Sequence, residues 1–186
     1  MKKIFFLLLF ITNLNYSQTT VKGNVSAIIG LPQFGFETTL GKKITFQLDV
    51  LTSLWKSINQ APFKTNTIFP EFRFYPKKAL EGFYVGSHIG GSKYHFQKWN
   101  YINTDYVQKG YSLMYGITFG YQIAINDRFS LDTFIGGGYQ QGFYKGYLLS
   151  DGTRYDKAKK YNKSGEFLPY RGGVMIVYKF KKRNER

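Results

Sequence analysis

The sequence predicts an all-β protein, an eight-stranded antiparallel up-and-down transmembrane β-barrel with short periplasmic turns and longer outer loops. Three observations predict it. Apolar and polar residues alternate along most of the chain, the apolar set is large and aromatic while the polar set is small or charged, and short connections alternate with longer ones. A strand places successive side chains on opposite faces, so each alternating run has one apolar and one polar face. The composition agrees: 18 Phe, 16 Tyr and 20 Gly against 5 Pro suit closely packed or strongly bent strands.

The chain of 186 residues fits one domain. Its start, "MKKIFFLLLFITNLNYSQ", has the parts of a secretory signal over residues 1–17. Lys2 and Lys3 form the basic end, Ile4 to Ile11 the apolar run, and Ser17/Gln18 the expected cut, although Asn15 departs from the small residue expected two positions before it. A membrane anchor needs about 20 apolar residues, roughly twice this run. Residues 18–186 then form a single outer-membrane domain with a basic tail at 181–186, "KKRNER". There is no cysteine, which excludes a disulfide framework, a thiolate metal site and lipoprotein attachment. Loss of Lys2 and Lys3 lowers the net charge from +15 to +13. Such a balance often marks nucleic-acid binding. An exported protein meets anionic lipid headgroups, lipopolysaccharide phosphates or acidic glycans instead.

Eight segments read as strands: 22–30, 33–40, 43–54, 66–76, 82–96, 111–125, 128–139 and 170–180. In "FGFETTL", Phe34, Phe36, Thr38 and Leu40 share a face opposite Glu37. In "ITFQLDV", Ile44, Phe46, Leu48 and Val50 oppose Gln47 and Asp49. In "IFPEFRFYP", Ile68, Phe72 and Phe74 oppose Glu71, Arg73 and Tyr75. In "YSLMYGITFGYQI", six large residues from Leu113 to Ile123 oppose a set containing Gly116, Thr118 and Gly120. In "RFSLDTFIGGGY", Phe129, Leu131, Thr133 and Ile135 oppose Ser130, Asp132, Phe134 and Gly136. In "GGVMIVYKF", Val174, Ile176, Tyr178 and Phe180 align, with Met175 and Val177 weakening the contrast.

Which face is inside follows from volume. An eight-stranded barrel holds tightly fitting side chains or one small ligand. The segment 111–125 alone would push six large residues inward if the apolar face were the core. The small and charged set fits the interior, and the aromatic set then meets lipid, with Tyr suited to the interfacial girdles. The short connections at 41–43, 77–81 and 126–127, against longer ones at 55–65, 97–110 and 140–169, place both termini on the periplasmic side. A short outer connection near Leu31–Pro32 breaks the trend.

"PEFRFYP", "GFYVGSHIG", "GITFGYQIAINDRFSLDTFIGGGY" and "FGFETTLGKKITFQLDVLTSLW" resemble a family of small outer-membrane barrels classified as a domain of unknown function. The resemblance covers roughly residues 22–145 and leaves the last loop uncovered. It implies a fold similar to the eight-stranded transmembrane domain of outer membrane protein A, insertion by the barrel-assembly machinery, and no established active site. Assembly signals of such barrels end on an aromatic residue; Phe180 has that character, but "KKRNER" follows it.

The candidate sites are few. Glu37, Asp49, Glu71, Arg73 and Asp132 form a predicted polar network in the lumen. Bare carboxylates there would be costly, which favours a salt-bridged plug over an ion path or gate. His88 and His95 have opposite parity and define no metal site, and no acid partner or nucleophile is placed beside either. Ser87 points away from His88, and Ser92 is four residues along the strand. "IGGGYQQG" lacks the G-x-G-x-x-G spacing, so its glycines serve close strand packing or a bulge. "DGTRYD" lacks the remaining ligands of a calcium loop and reads as a turn. The last outer loop carries Lys145, Arg154, Lys157, Lys159, Lys160 and Lys163 among tyrosines, a candidate contact for lipopolysaccharide phosphates or an acidic glycan; the bland alternative is a solvated loop.

The expectation is therefore a barrel with a structural or surface-interaction role in the bacterial outer membrane, without enzymatic turnover and without a cofactor. Its expected partners are outer-membrane lipid and lipopolysaccharide. The alternatives are a narrow channel or small-solute transporter, a lipid-modifying enzyme, and a secreted soluble lipid-binding barrel.

Overall fold

The computed structural model describes residues 18–156 and 160–180; the expected signal segment and the tail lie outside the described residues. Nine strands form one antiparallel sheet: β1 (Thr19–Asn24), β2 (Gln33–Thr39), β3 (Ile44–Thr52), β4 (Ser57–Ile58), β5 (Ala61–Phe74), β6 (Gly82–Phe96), β7 (Tyr106–Ala124), β8 (Phe129–Leu148) and β9 (Asn162–Lys179). β1 pairs with β9, as Val21 with Tyr178, and β3 pairs with β5, as Phe46 with Phe72. The sheet thus closes in a ring through eight strands, and the two-residue β4 folds back on the start of β5.

Closure gathers the connections at two ends. The turns 40–43, 75–81 and 125–128 lie with Gln18 and Phe180 at one end, here the base. The connections 25–32, 53–60 and 97–105, with the described residues of the connection between β8 and β9, lie at the other, the rim. At the base the Asn126 carboxamide oxygen accepts the Arg128 and Phe129 N–H groups at 2.9 and 2.8 Å, an Asx-type turn that reverses the chain tightly. The wall is uneven in height: β2 has 7 residues, whereas β8 has 20.

Several boundaries differ from the expectation. The segment 22–30 is not one strand: β1 ends at Asn24, whose side chain accepts the Ser26 N–H at 3.0 Å and starts a 3-10 helix over Val25–Ile29. The first rim connection is therefore as long as its neighbours. β5 begins at Ala61 and β7 at Tyr106, earlier than expected. The largest difference concerns 140–169. β8 runs on to Leu148 and β9 starts at Asn162, so a tall hairpin replaces most of the expected loop. Its residues look aperiodic because both faces are polar or aromatic, yet the ladder supplies their backbone hydrogen bonds.

The faces divide as the alternation predicts. Phe34, Phe72, Tyr115 and Phe119 point outward and are exposed, Phe72 by 57% and Phe119 by 51%. Glu37, Asp49, Glu71, Arg73 and Asp132 point into the ring and are buried. Met175 and Val177 are buried too, and Met175 packs with Tyr75, Tyr84 and Phe134 in a small apolar cluster. Thr38, expected outward with Phe36, is instead buried. A bulge lies where Gly136 faces Arg171 but Gly138 faces Leu168. The extra residue on β9 brings both Tyr170 and Arg171 to the interior side.

Candidate functional site

The ring interior is filled from the base upward by an ion network. β1 supplies Lys22, β2 Glu37, β3 Asp49, β5 Glu71 and Arg73, β8 Asp132 and β9 Arg171. Lys22 Nζ contacts Glu37 Oε2 and lies 2.6 Å from Asp132 Oδ2. Arg73 donates to Asp132 at 2.8 Å and to Glu71 at 3.1 Å, and stands 3.5 Å from Glu37. Arg171 reaches Asp49 at 2.6 Å and Glu71 at 3.1 Å. Each buried carboxylate thus meets at least one cation, which offsets the cost of removing it from water.

Neutral donors add to the shell. Tyr84 donates to Asp132 at 2.8 Å, Tyr75 to Glu37 at 3.0 Å, and Gln47 to Asp49 at 2.7 Å. The Arg73 guanidinium also stacks over the Tyr84 ring, 4.3 Å from its centroid. Gly120 makes room for that ring: a Cβ there would lie 2.3 Å from Tyr84 Cζ.

An aromatic layer covers the network. Phe69 and Tyr170 stack with centroids 6.0 Å apart, and His88 meets both edge-on. Both ring nitrogens of His88 are engaged, Nδ1 with Thr118 Oγ1 at 3.0 Å and Nε2 with the Tyr170 hydroxyl at 2.8 Å. Above the layer a cavity of roughly 660 Å³ opens toward the rim, lined by Thr67, Ser92, Tyr94, Met114, Gln140 and others. Ser92, on the same face of β6 as His88, accepts a hydrogen bond from Thr67 at 2.9 Å. Among the described residues, no group of three or more His, Cys, Asp or Glu could hold a metal ion.

The five residues predicted for the interior come together, and two cations are added that sequence reasoning missed. Lys22 follows outward Val21, and Arg171 shares the parity of inward Met175 and Val177; that phase was the available signal. Of the six predicted rim cations, four lie among the described residues. Lys145 is on β8 and Lys163 on β9, Arg154 is held by Asp156 at 2.5 Å, and Lys160 begins the approach to β9. Lys157 and Lys159 lie outside the described residues. "DGTRYD" is a turn: Asp151 accepts the Thr153 N–H at 2.8 Å, a bond that holds its carboxyl below the usual carboxylate range, and Asp156 accepts the Gly146 N–H at 2.6 Å.

No curated protein shows a significant match to the chain. A family model described as a protein of unknown function, DUF3575, matches residues 3–180. That match spans nearly the whole chain, signal-like start and closing strand included, and the protein belongs to the DUF3575 family.

Proposed function

We propose that this chain is a small eight-stranded outer-membrane β-barrel, exported through a signal cut near Ser17/Gln18, whose role is structural or surface-interacting rather than enzymatic. The observation that carries the reading is the inverted distribution of polarity: an outward belt of Phe, Tyr, Ile and Leu around a buried ionic plug. In water that belt would be a large exposed apolar surface, which soluble monomers rarely carry. In lipid the same belt is the favoured surface, the β1–β9 and β3–β5 pairings close the ring along its lower part, and the charges are shielded within.

The plug argues against steady conductance, since Arg73 and Lys22 close the interior with carboxylates packed on them and the Phe69–His88–Tyr170 layer lies above. The engaged nitrogens of His88 argue against a base poised for catalysis. Interaction is then left to the rim side of the molecule, where the longer connections gather. Fractionation of cells tests the reading. The expected result is protein in the outer-membrane fraction, migrating as a compact form on gels until heated. Recovery in the soluble periplasmic fraction, with no heat-dependent migration, would refute it.

A further inference from the structure

Register across β5 to β8 places basic side chains in one row on the outward wall. Lys64 pairs with His95, His95 with Lys109, and Lys109 with Lys145. One step toward the base, the next row holds Asn66, Lys93, Tyr111, Phe143 and Lys163. Directly opposed residues on antiparallel strands have Cβ atoms about 4.5–5.5 Å apart, and like charges so placed repel. Among the described residues no carboxylate is ion-paired to Lys64, Lys93, Lys109, Lys145 or Lys163. The acidic residues of β5 to β8, Glu71 and Asp132, both point inward. An aligned, uncompensated row of this kind is relieved by an anion lying across it.

Depth identifies the anion's carrier; this step rests on the outer-membrane reading above. On β7 the outward residues from Ile123 to Tyr111 are all apolar or aromatic, and the next outward residue is Lys109. At ~3.4 Å per residue and a tilt near ~40°, that stretch rises about 31 Å. It spans the hydrocarbon layer and its aromatic girdles and sets the lysine row at headgroup level. The girdle is present just below the row: Tyr111 stacks on Phe143 at 5.0 Å and meets Tyr161 at 5.5 Å, while Lys145 lies 5.3 Å from the Tyr161 ring centroid. Beside the row a cleft of roughly 420 Å³ brings Lys56, His95 and Lys109 together with apolar Pro62, Val107 and Leu149.

We propose that the outward wall of β5–β8 below the rim binds a phosphorylated lipid headgroup of the outer leaflet, that of lipopolysaccharide, its phosphates lying along Lys64, His95, Lys109 and Lys145. The site differs from the rim connection 149–161, where Arg154 is already committed to Asp156. It is a surface of the strands themselves, so it is rigid before the lipid arrives.

The test uses the full mature chain folded into phosphatidylcholine vesicles. Bound lipopolysaccharide is measured at several salt concentrations for wild type, for the triple variant Lys64→Gln/Lys109→Gln/Lys145→Gln, for the corresponding triple Lys→Arg variant, and for a base-side control of equal charge change, Lys42→Gln/Lys77→Gln/Arg128→Gln. Each basic residue beside an anionic membrane surface contributes on the order of fivefold in affinity. The triple Gln variant should therefore bind at least about tenfold more weakly, while the Arg variant and the control stay within about twofold of wild type. Dephosphorylated lipopolysaccharide should bind as weakly to wild type as the intact lipid does to the Gln variant, and inorganic phosphate at matched concentration should not compete. Equal binding by the Gln variant and wild type, indifference to dephosphorylation, or full displacement by inorganic phosphate overturns the site. Heat-dependent migration of the same samples reports insertion separately. Inserted protein that fails to discriminate refutes the headgroup site alone, whereas protein that never inserts refutes the barrel reading and the site with it.

Discussion

Replacing Arg73 with methionine removes one of three cations that hold four buried carboxylates. Arg73 is 1% exposed and sits within 2.8 Å of Asp132, 3.1 Å of Glu71 and 3.5 Å of Glu37. Methionine keeps most of the packing against Tyr84 but none of the charge. Lys22 still reaches Glu37 and Asp132, and Arg171 still reaches Glu71, so no carboxylate is left wholly alone. The imbalance nevertheless grows from four against three to four against two. Breaking a buried pair from one side costs about 3–5 kcal/mol, and that is the expected loss. The double variant Arg73→Met/Asp132→Asn returns the excess to a single negative charge. Its carboxamide oxygen takes the place of Oδ2 and accepts from Lys22, and its NH2 takes the place of Oδ1 and donates to the Tyr84 hydroxyl, so it should recover at least about half of that loss. Urea titration of the folded protein in lipid vesicles, read by heat-dependent gel migration, gives both numbers. A single variant that unfolds at the wild-type midpoint, or a double variant weaker than the single, would show that the interior charges do not act as one network.

Nitroxide labels at Phe72 and Leu113 should be relaxed by oxygen dissolved in lipid, and labels at Ser92 and Gln140, which line the rim cavity, by a water-soluble nickel chelate; equal behaviour of the two pairs would reject the register. Phe119→Lys should cost roughly 2–4 kcal/mol in vesicles because it lies midway along the outward belt, whereas Phe119→Leu should cost under about 1.5 kcal/mol, both read from urea midpoints. Gly120→Ala forces the Tyr84 ring away from its bond to Asp132 and should cost about 1–3 kcal/mol, while Gly41→Ala, in the base turn with open space around it, should change the same midpoint little.

Much of the fold was legible because a strand's period is two and nearly every strand carries a face that differs sharply from the other. Glu37, Glu71 and Asp132 could be assigned to the interior from Phe36, Phe72 and Leu131 alone, since neighbours in a strand must point apart. The alternation of short and long connections, too, is a property of the chain read in order, and it sorted the turns to the two ends. Parity fails where the backbone leaves its period. Asn24 ends β1 by capping a 3-10 turn, and the bulge beside Gly136 resets β9, so the phase of Arg171 could not be carried across from Phe167.

Partnership is the part that belongs to three dimensions. Lys22 is 110 residues from Asp132 and Arg171 is 122 from Asp49, and only closure of the ring sets these charges face to face. The same holds outside. Lys64, His95, Lys109 and Lys145 are scattered in the sequence, and the rim loop that holds the densest run of lysines drew attention away from them. Strand register aligns the four in one row. The sequence by itself thus determined which way most strand side chains point, because within a regular strand that depends on the immediate neighbours. The tertiary structure decided which charges meet, because that depends on the register of strands whose residues are distant in the chain.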